Sequence, residues 1–289
     1  MHWQTTRFRI DLDRPRVMGI VNVTPDSFSD GGAHATAAQA LAHCERLLVE
    51  GADILDIGGE STRPGAGAVP LDEELRRVLP VVKDALTLGC PVSLDTMKPE
   101  VMRAALDLGV DVVNDIQALR APGAEEAVAA HPACGICLMH MQGEPRSMQT
   151  QPHYEDVVRD VAAFLDDRAQ SLRRRGVAAD RIVLDPGIGF GKTPEHNFEL
   201  LRRQEELLGA GYALLLGWSR KSSLGVLTGR AAGERLVASV AAALAAVQRG
   251  ARILRVHDVA ATVDALKVWG AAGLPDRAQS PVTQHASTP

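Results

Sequence analysis

Eight short runs of apolar, largely β-branched residues recur along the chain, each followed by a stretch rich in Ala, Leu, Glu and Arg. The runs are Val17–Val21, Ile54–Ile57, Pro91–Leu94, Val110–Val113, Gly135–Met139, Ile182–Leu184, Ala213–Leu216 and Ile253–Val256. Helices are expected near 36–50, 71–88, 98–108, 122–131, 153–175, 195–208, 233–248 and 259–271. Near-continuous apolar strands alternating with helices specify a parallel sheet covered on both faces. Eight such units fit a closed (β/α)8 TIM barrel of ~250 residues better than an open doubly wound sheet. An open sheet would more often carry a Gly-x-Gly-x-x-Gly turn after its first strand. Here that segment reads Asn-Val-Thr-Pro-Asp-Ser-Phe-Ser-Asp-Gly-Gly.

The expected fold class is therefore α/β, with one barrel domain over 16–273. Residues 1–15 are expected to form a cap or hairpin across the barrel bottom, and the polar, Pro-containing stretch 274–289 a disordered tail. With 289 residues, 46% of them apolar, the chain can bury a sizeable core without disulfides or metal staples. A net charge of −5 offers no basic excess, which argues against a nucleic-acid partner. No apolar run reaches the ~18 residues of a membrane span. The Ala-rich segment Val237–Val247 is too short for one and reads as a buried or dimer-contact helix. The first 15 residues lack the apolar stretch of a signal peptide. Cys44, Cys90, Cys134 and Cys137 are too scattered for a disulfide framework and read as reduced thiols in a cytosol. Cys134 and Cys137 face opposite sides of one strand, so chelation by the pair is awkward.

In a barrel of this kind, groups that do chemistry stand at the C-terminal ends of the strands. Those ends carry, in order, Asn22; Glu60-Ser61-Thr62-Arg63; Asp95; Asn114-Asp115; His140; Asp185; Ser219-Arg220-Lys221-Ser222; and Arg255-Val256-His257. A purely structural barrel needs no such arrangement. Asp95, Asp185 and Asn114 make an acceptor-rich group, suited to a planar heterocycle with a guanidine-like edge, because a carboxylate accepts two parallel N–H bonds. Arg63, Lys221, Arg255 and His257 make a cationic group suited to phosphate. Arg255 and His257, two apart on a strand, project to the same side. One mouth holding both groups implies a ligand with a donor-rich ring at one end and phosphate at the other.

Segments 22–32 and 58–70, rich in Gly, Pro, Ser and Thr, read as mobile lids over that mouth. The segment Asp185–Lys192 is a tight Gly-rich turn where backbone can approach a flat ligand. It is not a phosphate-binding P-loop, because Pro186 stands where the first Gly belongs. Asp53 and Asp111 open strands at the opposite, stability face and read as caps. Arg173-Arg174-Arg175 reads as a solvated helix end suited to the dipole. His2, His34, His43, His131, His153 and His196 read as surface or loop residues, while His140 is either a satisfied core histidine or part of the site.

These residues fall within segments that resemble the dihydropteroate synthases of folate biosynthesis. The matching stretches are Met18–Gly32, Asp56–Gly65, Ser93–Thr96, Val113–Ile116, Leu138–Gly143, Leu184–Lys192, Ser219–Ser222 and Arg255–Val259. They run in order through all eight units, covering about 16–272. Gly217-Trp218 before the Ser-Arg-Lys departs from the small or apolar residues expected there, and is neutral.

The resemblance implies condensation of 6-hydroxymethyl-7,8-dihydropterin diphosphate with p-aminobenzoate, giving 7,8-dihydropteroate and diphosphate by dissociative substitution. It implies that Asp95, Asn114 and Asp185 hold the pterin edge, with Met139, Phe190, Gly217 and Lys221 around the ring. Thr62, Asn22, Arg63, Arg255 and His257 would hold the diphosphate, with Mg²⁺ between Asn22 and the phosphate oxygens. Phe28, Thr62, Pro64, Lys221 and Ser222 would lie against p-aminobenzoate. Asp95, Asp185, Lys221, Arg255 and His257 are the implied catalytic set. A cytoplasmic homodimer sensitive to sulfonamides is also implied. The rival readings are a pterin-dependent methyltransferase, which would not need Ser219-Arg220-Lys221 or Arg255-Val256-His257, and a non-catalytic pterin-binding paralogue.

Overall fold

The computed structural model describes residues 1–24, 32–61, 65, 67–144 and 147–273. Its centre is a closed barrel of eight parallel strands: β3 (Arg16–Asn22), β4 (Ile54–Gly58), β5 (Val92–Asp95), β6 (Val112–Asp115), β7 (Gly135–Met139), β8 (Ile182–Asp185), β9 (Ala213–Leu216) and β10 (Ala251–Val256). They neighbour one another in chain order, and β10 closes the ring against β3. Helices α1 (Gly32–Val49), α2 (Leu71–Ala85), α3 (Pro99–Leu108), α4 (Ala124–Ala130), α5 (Val157–Arg174), α6 (Pro194–Arg202), α7 (Ser222–Thr228), α8 (Leu236–Gln248) and α9 (Val259–Ala271) lie between and after the strands. This is the (β/α)8 barrel that the alternation specifies.

Boundaries moved for local reasons. The segment 195–208 divides into α6 and a 3-10 turn, Gln204–Ala210. Helix α5 starts at Val157 because Asp156 caps it, accepting from the backbone N–H of Val158 and Arg159. Helix α8 starts at Leu236. Helix α7 has no counterpart in the sequence reading: its seven residues contain Gly225, and Gly229 ends it in the left-handed conformation.

Period-two alternation sorts each strand into inward and outward residues. The inward set forms one apolar cluster containing Met18, Ile54, Val112, Cys137, Val183, Ala213, Leu215 and Ile253. The antiparallel hairpin β1 (His2–Gln4) and β2 (Arg9–Asp11) supplies Trp3 and Ile10 to that cluster and plugs the barrel from below. Trp3 Nε1 donates to the Arg181 carbonyl at 3.0 Å. Asp111, fully buried, accepts from Arg7 Nη2 at 2.6 Å and from the Val92 backbone N–H at 2.9 Å, tying the hairpin to the strand starts. Asp53 does similar work for Arg14, Arg16 and the Val17 backbone N–H. The outward residues pack with the helices in a second, larger core. Arg175 is more than a solvated end, since it pairs with Glu125 and Glu126 of α4.

Candidate active site

One layer above the apolar interior, the same alternation puts polar residues inside the barrel. Asp56 of β4, Asp95 of β5 and Asn114 of β6 are all buried. Arg255 of β10 reaches across to them. Its Nε donates to Asp56 Oδ2 and its Nη2 to Asp95 Oδ2, both at 2.6 Å. Asn114 Nδ2 donates towards both oxygens of Asp56, at 3.3 and 3.4 Å. Asp56 is thus a central member of the site, and the sequence reading of strand ends passed over it. The signal was available: a carboxylate at an inward position of an otherwise apolar strand costs several kcal/mol unless it is paired.

Charge balance in this layer is unfavourable to the anions. Two carboxylates share one guanidinium, and both are buried. Burial pushes the Asp95 carboxyl up to about 7, with Arg255 pulling it down and Asp56 adding to the rise. Asp185, at the end of β8, is pushed up to about 6 by burial, although the Gly187 backbone N–H donates to its Oδ1 at 2.7 Å and Lys221 and Arg255 favour its charge. Burial brings the Lys221 ammonium down to about 8, against the attraction of Asp185. Three groups thus titrate near neutrality at one mouth, a pattern typical of functional sites.

The turn after Asp185 is built around glycine and a buried cation. A Cβ on Gly187 (φ +69°) would collide with the His140 carbonyl oxygen, and one on Gly191 (φ +62°) with that of Gln142. Only glycine lets this backbone lie against the β7 exit. Lys192 fills the space beneath, donating to His140 Nδ1 at 2.8 Å and to the carbonyls of Gly187 and Phe190, each at 3.0 Å. His140 belongs to this support: it is buried, and burial with Lys192 beside it drives its pKa down to about 2, so the ring is neutral. Phe190 is carried by the turn, and Lys221 Nζ sits 4.1 Å from its ring centre. Behind it, Ile116, Met139, Met141 and Met148 form a separate apolar cluster with Met97 and Phe190 packed on it. This is a flat, polarizable wall beside the acceptors.

Lys221 is aimed by strain. Arg220 adopts φ +59°, a left-handed conformation costly for any residue that carries a Cβ. It is held there by its N–H to Ser239 Oγ at 2.9 Å and by two bonds from its guanidinium to Asp258, at 2.6 and 3.1 Å. Ser219 Oγ lies 3.0 Å from His257 Nδ1 and accepts from the His257 backbone N–H at 3.1 Å. Asp115, outward-facing next to Asn114, accepts from the backbone of Gln117 and Leu119 and shapes its own loop instead of the mouth.

The structure therefore gathers Asp95, Asn114, Asp185, Lys221 and Arg255 by direct contact or charge interaction, with Met139 and Phe190 forming the wall. Gly217 follows β9, Ser222 opens α7 and is exposed, and His257 follows β10. Asn22 ends β3 beside Gly58, which in turn neighbours Asp95. Phe28, Thr62, Arg63 and Pro64 lie outside the described residues, as do the rest of 25–31, residue 66 and the tail 274–289. Among the described residues no three His, Cys, Asp or Glu side chains converge on a metal site.

Residues 18–257 match a family model described as pterin binding enzyme. A dihydropteroate synthase of Neisseria meningitidis serogroup B is 56% identical over 278 residues, covering 94% of this chain and 98% of that protein. The structure of Xanthomonas albilineans dihydropteroate synthase with 4-aminobenzoic acid superposes with a TM-score of 0.89 at 53% identity, over 95% of this chain and all of that one. That of Burkholderia cenocepacia dihydropteroate synthase with 7,8-dihydropteroate gives 0.87 at 52% identity, over 96% and 98%.

Proposed function

We infer how labour is divided in this site from one premise: the chain belongs to the dihydropteroate synthases, within the pterin binding enzymes. It is a transferase that joins 6-hydroxymethyl-7,8-dihydropterin diphosphate to p-aminobenzoate, forming 7,8-dihydropteroate and diphosphate. The observation that carries the division is the acceptor rim of Asp95, Asn114 and Asp185 beside the Lys221–Phe190 pair. Donors on the pterin edge satisfy carboxylates that are otherwise short of partners. Phe190 and the methionine wall take the ring face.

The substitution runs dissociatively. The C–O bond to diphosphate breaks with its electron pair leaving on oxygen. The pterin ring delocalises the methylene cation. The aniline nitrogen of p-aminobenzoate attacks, and its surplus proton passes to diphosphate. Ionised Asp95 and Asp185 favour the cation, while Lys221, Arg255 and His257 favour the departing anion. Stabilisation aimed at developing charge is commonly the largest catalytic contribution. Thr62, Arg63, Phe28, Pro64 and Ser222 complete the diphosphate and p-aminobenzoate subsites. Sulfonamides, as mimics of that acid, compete for the latter.

Mg²⁺ fits this donor set in a limited way. Asn22 offers one neutral, hard oxygen, and an ion that dehydrates reluctantly is well served by one protein ligand plus phosphates and water. When bound, it would neutralise leaving-group charge.

One assay tests the scheme. Purified protein with both substrates and Mg²⁺ should accumulate dihydropteroate and diphosphate equally, and lose both without Mg²⁺. Asp95→Asn should lower kcat/KM by about 100-fold. Across pH, kcat/KM should rise as Asp95 and Asp185 ionise between about 6 and about 7, and fall as Lys221 loses its proton near about 8. Tight pterin binding without product would instead favour the non-catalytic paralogue.

A homodimer accords with the exposed apolar side chains Val226 and Leu227 of α7 and Leu236 and Val237 of α8. Light scattering should give twice the 30.8 kDa chain mass; a monomer would overturn this. A cytosolic location is supported by four buried cysteines, all free, and cell fractionation of the activity checks it.

A further inference from the structure

We propose that Asp56, which lies beneath the pterin subsite, is a positioning residue that keeps Asp95 and Asn114 open to the ligand. The proposal rests on the pterin reading of the site and adds a residue to it. Three observations carry it. Asp56 is completely buried, so it does not meet solvent. It takes the Nε edge of Arg255 at 2.6 Å, leaving that guanidinium a single bond to Asp95, from Nη2 to Oδ2. It also faces the amide nitrogen of Asn114.

Each contact has a consequence at the mouth. Arg and carboxylate pair bidentately when nothing else competes. With Asp56 occupying Nε, the side-on Nε/Nη2 fork is closed to Asp95, and Arg255 bonds only its Oδ2, so Oδ1 stays available to a donor on the ligand. The second consequence concerns the amide. Turning Asn114 over would set its oxygen against the Asp56 carboxylate, leaving two buried acceptors facing each other with no donor between them. Asp56 therefore holds the Asn114 nitrogen down and its oxygen towards the mouth. The rim becomes acceptor-only, which suits a donor-rich heterocycle and rejects one that presents acceptors there.

Asp56→Asn keeps the shape and removes the charge. The expected result is a loss of about tenfold or more in affinity for the dihydropterin diphosphate, as for one charge-assisted hydrogen bond. A second readout separates positioning from mere support. The Asp56 charge helps to raise Asp95, so removing it should lower the Asp95 titration. The acid limb of kcat/KM should then move to lower pH in Asp56→Asn, while Asp56→Glu, which keeps the charge but displaces it, should lose affinity with the limb unmoved.

Calorimetry with the dihydropterin diphosphate and pH–rate profiles on wild type and both variants decide the matter. Wild-type affinity in Asp56→Asn, or an acid limb unchanged in Asp56→Asn, overturns the proposal. If Asp56→Asn does not fold, unchanged affinity in Asp56→Glu overturns it alone. Wild-type protein that neither binds the pterin nor forms product would instead overturn the functional reading on which this rests.

Discussion

Arg255→Ala is expected to lower kcat/KM by about 1,000-fold and to destabilise the fold by ~3–5 kcal/mol, the range for breaking a buried ion pair from one side. The two losses have a common origin. Arg255 is the cation that bridges Asp56 and Asp95. Alanine leaves two carboxylates, one fully buried and one nearly so, facing each other without a counter-charge. They will take up a proton to relieve this. A protonated Asp95 no longer favours a pterin cation, so catalysis fails even in molecules that remain folded.

The stability loss carries a pH signature. In the native state Asp95 already titrates at about 7, above its ordinary value. Removing Arg255 raises it further. Where the folded chain binds more protons than the unfolded one, stability falls as pH rises, from the ordinary carboxyl value near ~3.9 up through the folded one. The deficit relative to wild type should therefore be larger at pH ~8 than at pH ~5. Urea unfolding at both pH values checks this. A deficit below about 1 kcal/mol, or one equal at the two pH values, would show that the guanidinium is not what holds the carboxylates.

Arg255 also shows what the sequence could and could not convey. The eight strands were legible because a strand buried on both faces must be nearly all apolar, and their ends shifted by only a residue or two. Pro91, for example, lies outside β5, which begins at Val92; proline has no N–H to give the ladder. The cationic character of Arg255 was legible too, but its partners were not. Reading chemistry from strand ends finds Asp95 and Asp185 and misses Asp56, which stands two residues below the end of β4. Alternation carried one step down each strand would have found it, and would have separated inward Asn114 from outward Asp115. Helix α7 was not legible, since seven residues with an internal glycine have little helical preference and form because tertiary packing supports them. Lys192 was visible only as the last letter of a Gly-rich motif, and its role depends on a carbonyl from another strand exit.

That role makes Lys192→Met the second variant of large effect, with an expected destabilisation of ~3–5 kcal/mol from several buried acceptors left unpaired. Lys192 is almost completely buried and has no carboxylate partner within bonding distance among the described residues. Burial pushes its ammonium well below the usual lysine value. Yet its neighbours are the Nδ1 atom of neutral His140 and carbonyls of His140, Gly187 and Phe190, all of them acceptors. That donor-only demand matches the ammonium, whose three N–H groups bind the Gly-rich turn to the β7 exit. Methionine fills similar volume and supplies no donor. The Gly187 and Phe190 carbonyls then lose their anchor, and with them the Gly187 N–H that steadies Asp185. The Lys192 charge also favours ionised Asp185, so its removal should raise the acid limb of the rate profile, opposite in sign to Asp56→Asn. Lys192→Arg should not restore stability, because a guanidinium does not fit a pocket closed around one nitrogen. Denaturant unfolding, with the pterin KM and the pH profile of whatever folds, tests each step. A Lys192→Met protein as stable as wild type would mean that the turn is held by its own backbone and the glycines alone.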